Sequence, residues 1–249
     1  MADQSDVTTD RLLDGRVLLR QSARGYRAGM DAALLAAACD AGPGERVLEA
    51  GCGPGAALLA AAARRAEAVF VGVERDGAAA ALARENVALN GFDGRVEIVE
   101  GDVQAGFRAL GLPVFDAVMA NPPFFDDPDE LRAPAAEKTG AWMADGGLAA
   151  WTAFMLKAVR EGGTITVIHR ADRLGDLLSL LGEKAGSFQI RPIHPFADAP
   201  AKRVLFRAVK TGKAPLRLLP ALVLHDREGG KHSAAAEAIL RGKTALEWG

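Results

Sequence analysis

Short apolar runs alternate with longer helical stretches along most of the chain. The helical stretches, rich in Ala, Leu and Arg, cover residues 56–66, 77–89 and 147–160. Alternation of this kind predicts βαβ units, whose right-handed crossovers build a parallel sheet with helices on both faces. The predicted fold class is therefore α/β. The predicted parallel strands are residues 46–50, 68–73, 96–99, 115–120 and 164–168.

The pattern changes after about residue 187. Two strand-like runs, 188–193 and 203–209, follow one another with no helix between them. They predict an antiparallel hairpin at the edge of the parallel sheet. The chain accordingly divides into three parts: a helical or irregular N-terminal segment (1–44), the α/β domain (45–214), and a C-terminal extension with one short helix (215–249).

Composition and charge exclude several classes of protein. The 249 residues are 49% hydrophobic and 25% charged, with a net charge of −2, as in an ordinary globular protein. Two cysteines and four scattered histidines predict neither a disulfide framework nor a metal site. The longest Ala and Leu run, 56–63, is far shorter than the ~20 residues of a membrane span. The N-terminus lacks the features of a signal peptide, so we expect a cytoplasmic protein.

A glycine-rich loop follows the first strand of the predicted sheet and opens a helix. It reads Glu49-Ala-Gly51-Cys52-Gly53-Pro-Gly55 and is called the glycine loop (residues 49–55) below. Open α/β sheets bind ligands at such a position. The glycines alone also fit a dinucleotide fingerprint. Glu49 favours a different ligand, because its carboxylate would repel a pyrophosphate but attract the α-ammonium of S-adenosylmethionine.

Two acidic residues follow the next two strands. Glu74 lies 23 residues after Gly51, where a carboxylate can accept hydrogen bonds from both hydroxyls of a ribose. Asp102 follows the third strand and can accept from an adenine amino group. Together with Arg75 and Val103 beside them, these residues complete the predicted cofactor site.

The tetrapeptide Asn121-Pro122-Pro123-Phe124 follows the fourth strand directly. An exocyclic amino nitrogen is a poor nucleophile, because its lone pair is delocalised, and a site that methylates it must accept its N–H hydrogens. Asn121 offers a side-chain carbonyl and Pro122 a backbone carbonyl, and the two prolines restrict the backbone that holds them. Phe124 offers a face on which a planar group can stack. The tetrapeptide predicts methylation of an amino or amide nitrogen on a planar group.

These motifs resemble the class I methyltransferases and, more closely, the bacterial tRNA adenine-37 N6-methyltransferase family, which modifies a valine tRNA. The closer resemblance is carried by QSARGYRAGMDAALL (21–35), ARENVALNG (83–91), residues 121–125, and residues 201–208 with 220–225. It implies a Rossmann-like fold with a seven-stranded, mostly parallel sheet whose last strand is antiparallel. It also implies S-adenosylmethionine as cofactor. It assigns Glu49, Gly51 and Gly53 to the methionine part of the cofactor, Glu74 to its ribose, Asp102 to its adenine, and Asn121 through Phe124 to the target base. The other predicted cofactor-binding residues are Cys52, Arg75, Val103 and Asn121.

One residue departs from the commoner form of the motif, which ends in Tyr rather than in Phe124. Phe also occurs there in ribosomal-RNA guanine-N2 methyltransferases, so adenine and guanine both stay open as targets. A protein-glutamine methyltransferase shares the motif but normally carries a sizeable helical domain before the catalytic one. A module that binds cofactor or RNA without catalysis is disfavoured by Asn121 and Glu49.

Two segments without acidic residues predict contact with RNA phosphates. The first (16–27) carries four arginines, and the second (202–217) carries six lysines and arginines. The longest polar stretch, 126–141, is a candidate lid or binding loop. We therefore expect RNA, most readily a tRNA, as the partner, with no membrane and no metal. The sequence makes no prediction about the oligomeric state.

Overall fold

The structure is a computed structural model and describes residues 7–23, 29–124, 147–228 and 231–249. Helices cover both faces of a nine-stranded sheet, and a separate two-stranded sheet lies near the N-terminus. The strands are β1 Val7–Leu12, β2 Val17–Ser22, β3 Arg46–Ala50, β4 Val69–Glu74, β5 Val96–Glu100, β6 Phe115–Ala120, β7 Val159–Arg170, β8 Ala185–His194, β9 Arg203–Lys210, β10 Arg217–Leu218 and β11 Leu222–Val223. The helices are α1 Met30–Ala38, α2 Ala56–Arg64, α3 Gly77–Leu89, α4 Gly147–Ala158, α5 Leu174–Gly182 and α6 Ala234–Leu240. The predicted loop 126–141 lies outside the described residues.

The order of strands across the large sheet is β10-β8-β9-β7-β6-β3-β4-β5, and β11 also pairs with β8. Strand β3 lies between β4 and β6 and runs parallel to both. From β3, the sheet therefore extends to one side through β4 and β5, and to the other side through β6 and β7. The carboxyl ends of β3 and β6 meet where the direction of building reverses, which is the place where open α/β sheets bind ligands.

The α/β prediction is confirmed, and the strand order refines the predicted hairpin. Strands β8 and β9 pair antiparallel, as expected, but β9 lies between β7 and β8 rather than at the edge. Because β9 runs antiparallel to both neighbours, β8 is parallel to β7, and the helix α5 supplies the crossover. The two-residue strands β10 and β11 extend the sheet beyond β8, so it is larger than the seven strands expected.

The prediction of a helical or irregular N-terminal segment is wrong for residues 7–22. Strands β1 and β2 form an antiparallel hairpin with Val7 opposite Ser22 and Leu12 opposite Val17. The side chains of Val17 and Leu19 are fully buried, since alternate residues of β2 face the core. The helix α1 provides the expected helical part. The proposed boundaries after residues 44 and 214 stay predictions.

Two hydrophobic cores lie on opposite faces of the sheet. Helices α1, α2 and α6 pack on one face together with the buried ends of the hairpin. Helices α4 and α5 pack on the other face, where Phe107, Phe115 and Phe154 form edge-to-face contacts. Among the described residues, no helix combines the length and apolar character that a membrane crossing requires.

Candidate active site

The glycine loop turns sharply between β3 and α2, and its glycines have left-handed backbone angles. The φ values of Gly51, Gly53 and Gly55 are 67°, 54° and 91°, a region that residues with a Cβ rarely adopt. A Cβ on Gly51 would also collide with the ring of Trp151 on α4. The backbone N–H of Gly51 donates to the carbonyl of Val73 at 2.8 Å, which ties the loop to β4.

Glu49 is a buried carboxylate without a full set of partners. Its side chain lies at the end of β3 with 3% of its surface exposed, and its Oε2 has no hydrogen-bond partner among the described residues. Burial raises the pKa of Glu49 well above its ordinary value of 4.5, and the nearby charge of Glu74 raises it further. A buried acceptor of this kind fits an ammonium group, which would supply both the missing hydrogen bond and the opposite charge.

Glu74 lies at the end of β4, next to the glycine loop. Its Oε2 accepts a hydrogen bond from the backbone N–H of Gly53 at 2.9 Å, and its Oε1 accepts from that of Asp76 at 2.9 Å. Each carboxylate oxygen can accept a second hydrogen bond. Glu74 is thus oriented by the backbone and retains capacity for the hydroxyls of a ribose.

Asp102 follows β5, which pairs with β4 in the same sheet. Its Oδ1 accepts from the backbone N–H of Gln104 at 2.8 Å, and its Oδ2 lies 3.8 Å from Nη1 of Arg75. The side chain of Val103 beside it is buried with 6% exposure. Because β3, β4 and β5 are consecutive neighbours, the predicted cofactor residues meet at one edge of the sheet.

Cys52 supports the loop through packing rather than reactivity. Burial raises the pKa of its thiol well above 9.0, and the charges of Glu49 and Glu74 raise it further. A buried thiol that stays protonated is a small apolar group. A Cβ on Gly72 would come within 2.7 Å of the Cys52 sulfur, so the bare backbone of Gly72 makes room for it.

Asn86 is a residue of this site that the motifs alone did not identify. It lies on α3 with no exposed surface, and its Nδ2 donates to the carbonyls of Pro54 in the glycine loop (2.9 Å) and Arg20 on β2 (2.8 Å). Its Oδ1 accepts from the backbone N–H of Arg20 at 2.7 Å. Asn90, one turn later, pairs in the same way with the backbone of Leu18. The two asparagines join the N-terminal hairpin to the predicted cofactor site. In the sequence, they were indicated only by the resemblance of the stretch ARENVALNG.

Asn121 through Phe124 begin directly after β6, at the same carboxyl edge as the glycine loop. Pro122 is buried, and the other three residues are half-buried. The side-chain oxygen of Asn121 is shielded from solvent. A hydrogen bond to such an oxygen is stronger than one formed in water, because the surrounding dielectric is low. The tetrapeptide therefore lies one strand away from Glu49.

The ring of Phe124 contacts two residues from distant parts of the chain. The guanidinium of Arg203 on β9 lies over the ring, 4.6 Å from its centroid. The imidazole of His169 on β7 packs against the same ring at 5.1 Å between centroids, with the two planes at 89°. Arg203 in turn forms a 3.0 Å ion pair with Asp31 on α1. A planar acceptor can stack only on a face of Phe124 that these groups leave open.

The two basic segments carry less free charge than their sequences suggest. Arg207 pairs with Asp40, Lys210 with Glu161, and Arg203 with Asp31. The side chains of Arg203 and Arg207 are only 25% and 17% exposed. Arg20 pairs with Glu85 but stays 40% exposed. Residues 24–27 of the first segment lie outside the described residues. Contact of these segments with RNA stays a prediction.

The geometry defines a class I methyltransferase fold, and comparisons with known proteins agree. Residues 27–138 match the family model of the methyltransferase small domain. A crystal structure of a predicted O-methyltransferase from Agrobacterium tumefaciens superposes with a TM-score of 0.72 and 26% identity, covering 87% of this chain and 98% of that one. Residues 27–138 thus resemble a methyltransferase small domain, and the chain has a class I methyltransferase fold. The predicted fold class is confirmed, and these matches support S-adenosyl-L-methionine as the predicted cofactor.

The names of curated relatives give more than one substrate. The tRNA1(Val) (adenine(37)-N6)-methyltransferase of Aeromonas salmonicida is 36% identical over 119 residues, which cover 46% of this chain and 49% of that protein. The release factor glutamine methyltransferase of Caulobacter vibrioides is 30% identical over 155 residues, covering 59% and 52%. The chain spans about half the length of the first curated relatives it matches.

Replacing Glu49 with glutamine is expected to weaken binding of S-adenosylhomocysteine about tenfold or more, through loss of a charge-assisted hydrogen bond. The same change should stabilise the ligand-free protein at neutral pH. Because the folded-state pKa of Glu49 is raised, the folded chain binds the proton more tightly than the unfolded chain. Wild-type stability therefore falls as pH rises above 4.5 toward the folded-state pKa, and the glutamine variant should lack this contribution.

Urea unfolding of both proteins from about pH 5 to about pH 8, with calorimetric titration of S-adenosylhomocysteine, measures both effects. The control is Glu97→Gln, which changes an exposed carboxylate on β5. Equal pH slopes in wild type and Glu49→Gln, with equal affinity for the ligand, would show that Glu49 neither carries the buried charge nor binds the ammonium.

Proposed function

We propose that the protein is an N-methyltransferase that modifies an exocyclic amino nitrogen of RNA in the cytoplasm, with adenine N6 in a tRNA anticodon loop as the leading target. The observation that carries this proposal is the position of Asn121 through Phe124 directly after β6, beside the end of β3 and its buried Glu49. S-adenosyl-L-methionine supplies an activated methyl group on its sulfonium.

The residues of the chain have separate tasks in this proposal. Glu49 and the glycine loop would hold the methionine part of the cofactor, while Glu74 and Asp102 would hold its nucleoside. Asn121 and the carbonyl of Pro122 would accept the two N–H hydrogens of the target, which favours the tetrahedral geometry that an attacking nitrogen needs. Phe124 would stack on the planar group. Catalysis would then rest on positioning and on preorganised hydrogen bonds.

RNA is favoured as the acceptor by the resemblance and by the name of the Aeromonas relative. The target base would have to leave its stack to reach Asn121, which requires little free energy in an exposed loop. Arg20 supports this proposal as a phosphate ligand, since an exposed ion pair contributes only about 0–1 kcal/mol and can exchange.

Two other acceptors have specific support. Phe124 in place of Tyr also fits a ribosomal-RNA guanine-N2 methyltransferase. The similarity to a release factor glutamine methyltransferase favours a protein amide. That relative, like the Aeromonas protein, is matched over only about half of its length, so this similarity does not extend to the whole of either protein.

Mass spectrometry of nucleosides from tRNA and rRNA, prepared with and without the gene, tests the proposal. We expect loss of N6-methyladenosine from one tRNA when the gene is absent, and its return when the wild-type gene is restored. A gene with Asn121→Ala serves as the control, since it should fail to restore the modification. Loss of N2-methylguanosine from rRNA instead would transfer the function to the second acceptor, and unchanged RNA would contradict both.

A further inference from the structure

His169 is a deeply buried polar side chain in contact with Phe124 of the tetrapeptide Asn121–Phe124. It is the next-to-last residue of β7, and only 2% of its surface is exposed. Both ring nitrogens are shielded from solvent and have no hydrogen-bond partner among the described residues. The ring contacts Phe124, whose position in the acceptor site was derived above.

The imidazole is held in its neutral form. Burial, together with the positive charges of Arg173, Arg203 and Arg170, lowers the pKa of His169 to about 4. A neutral imidazole has one N–H donor and one nitrogen acceptor. Leaving both unsatisfied in the interior destabilises the protein, and buried polar groups without partners are rare enough to require an explanation.

An apolar ring would fill the same space without this penalty. Phenylalanine packs well in edge-to-face contacts and leaves no polar atom unsatisfied. Among the described contacts of His169, none would stabilise an imidazole more than a phenyl ring. Its hydrogen-bonding capacity becomes useful only in a state in which a further group arrives beside Phe124.

We propose that His169 is a specificity-determining residue of the acceptor site, where its neutral imidazole hydrogen-bonds a ring nitrogen of a nucleobase stacked at Phe124. Adenine and guanine both carry ring nitrogens beside their exocyclic amino group, whereas a glutamine side chain has none. His169 would thus select a heteroaromatic acceptor over a protein amide. This inference rests on the proposed function and deepens it.

The test compares His169→Phe and His169→Gln with wild type, using bulk tRNA from a strain that lacks the gene and a radiolabelled methyl donor. The phenylalanine variant should lower kcat/KM for tRNA about tenfold or more, as expected for loss of a hydrogen bond in a buried site. The glutamine variant keeps a donor and an acceptor, so it should retain more activity than the phenylalanine variant. The affinity of both for S-adenosylhomocysteine should match that of wild type.

Stability should follow the opposite order. Tm should be highest for His169→Phe, which removes the unsatisfied nitrogens, and lowest for His169→Gln, which buries a flexible amide. A purely structural role would make activity and stability change together. The matched control is His194→Phe at the end of β8, because His194 already has a partner, the carbonyl of Ala199 at 2.7 Å from Nδ1. This control should lose stability and keep its kcat/KM.

Each other outcome has a defined meaning. Unchanged kcat/KM in His169→Phe overturns the inference, as does a Tm below that of wild type, since the imidazole would then serve packing. A kcat/KM of His169→Gln no higher than that of His169→Phe would likewise exclude a hydrogen bond from residue 169 to the acceptor. Absence of transfer by wild type to both tRNA and rRNA overturns the proposed function itself, which distinguishes that failure from a failure at His169.

Discussion

Asn121→Ala is expected to reduce methyl transfer by about 10³-fold or more, while S-adenosylhomocysteine binds nearly as it does to wild type. The side-chain oxygen of Asn121 is shielded from solvent at the end of β6, so its hydrogen bond to a target amino group would form in a low dielectric. Such a bond strengthens as positive charge develops on the attacking nitrogen. Its loss should therefore act on the chemical step rather than on the affinity for the cofactor.

Two further substitutions separate the oxygen acceptor from the shape of the residue. Asn121→Leu has a similar volume without an acceptor and should be as inactive as the alanine variant. Asn121→Asp keeps an oxygen at the same place and should retain measurable transfer. Single-turnover assays with tRNA and calorimetry with S-adenosylhomocysteine provide the two readouts. Turnover in Asn121→Leu close to that of wild type would exclude a catalytic role for the tetrapeptide.

Asn86→Leu is expected to lower the free energy of unfolding by about 2–4 kcal/mol, since it removes three buried hydrogen bonds and leaves backbone groups of Arg20 and Pro54 without partners. Leucine has a similar volume, so packing changes little. Because Pro54 belongs to the glycine loop, the affinity for S-adenosylhomocysteine should fall as well, although Asn86 lies outside the predicted cofactor contacts.

Glu85→Ala is the matched control for Asn86→Leu. It removes the neighbouring side chain on α3 and breaks its 2.7 Å ion pair with the same Arg20. The side chains of Arg20 and Glu85 are 40% and 52% exposed, so the expected change in the free energy of unfolding is below about 1 kcal/mol. Urea unfolding measures all three proteins. A midpoint for Asn86→Leu equal to that of wild type would show that the amide does not hold the hairpin to the glycine loop.

Some of the interactions behind these predictions could be predicted from the sequence, and others could not. The glycine loop, Glu74 and Asp102 were predictable, because each lies at the end of an apolar run whose period marks a strand. Parallel strands bring their carboxyl ends to one edge, and short-range patterns therefore predict which residues share a site. Asn86 carried a sequence signal only through the resemblance, since a buried asparagine looks like any polar helix residue until its partners are known.

The sequence by itself determined the α/β class and the position of Asn121 through Phe124 after a strand, and it predicted the cofactor through Glu49 and the resemblance. It did so because strand period, glycine turns and proline restrictions act between residues that are close along the chain. Only the tertiary structure decided that β9 lies between β7 and β8, and that residues 7–22 form a hairpin.

Tertiary structure also decided the charge and burial of the site. The ion pair between Arg203 and Asp31 joins residues 172 positions apart, and His169 meets Phe124 only because β7 lies beside β6. The side chains that pair with Arg203 or bury His169 come from other helices and strands. A local sequence pattern therefore cannot predict them. For this reason the basic segment 202–217 suggested more free positive charge than the folded protein presents.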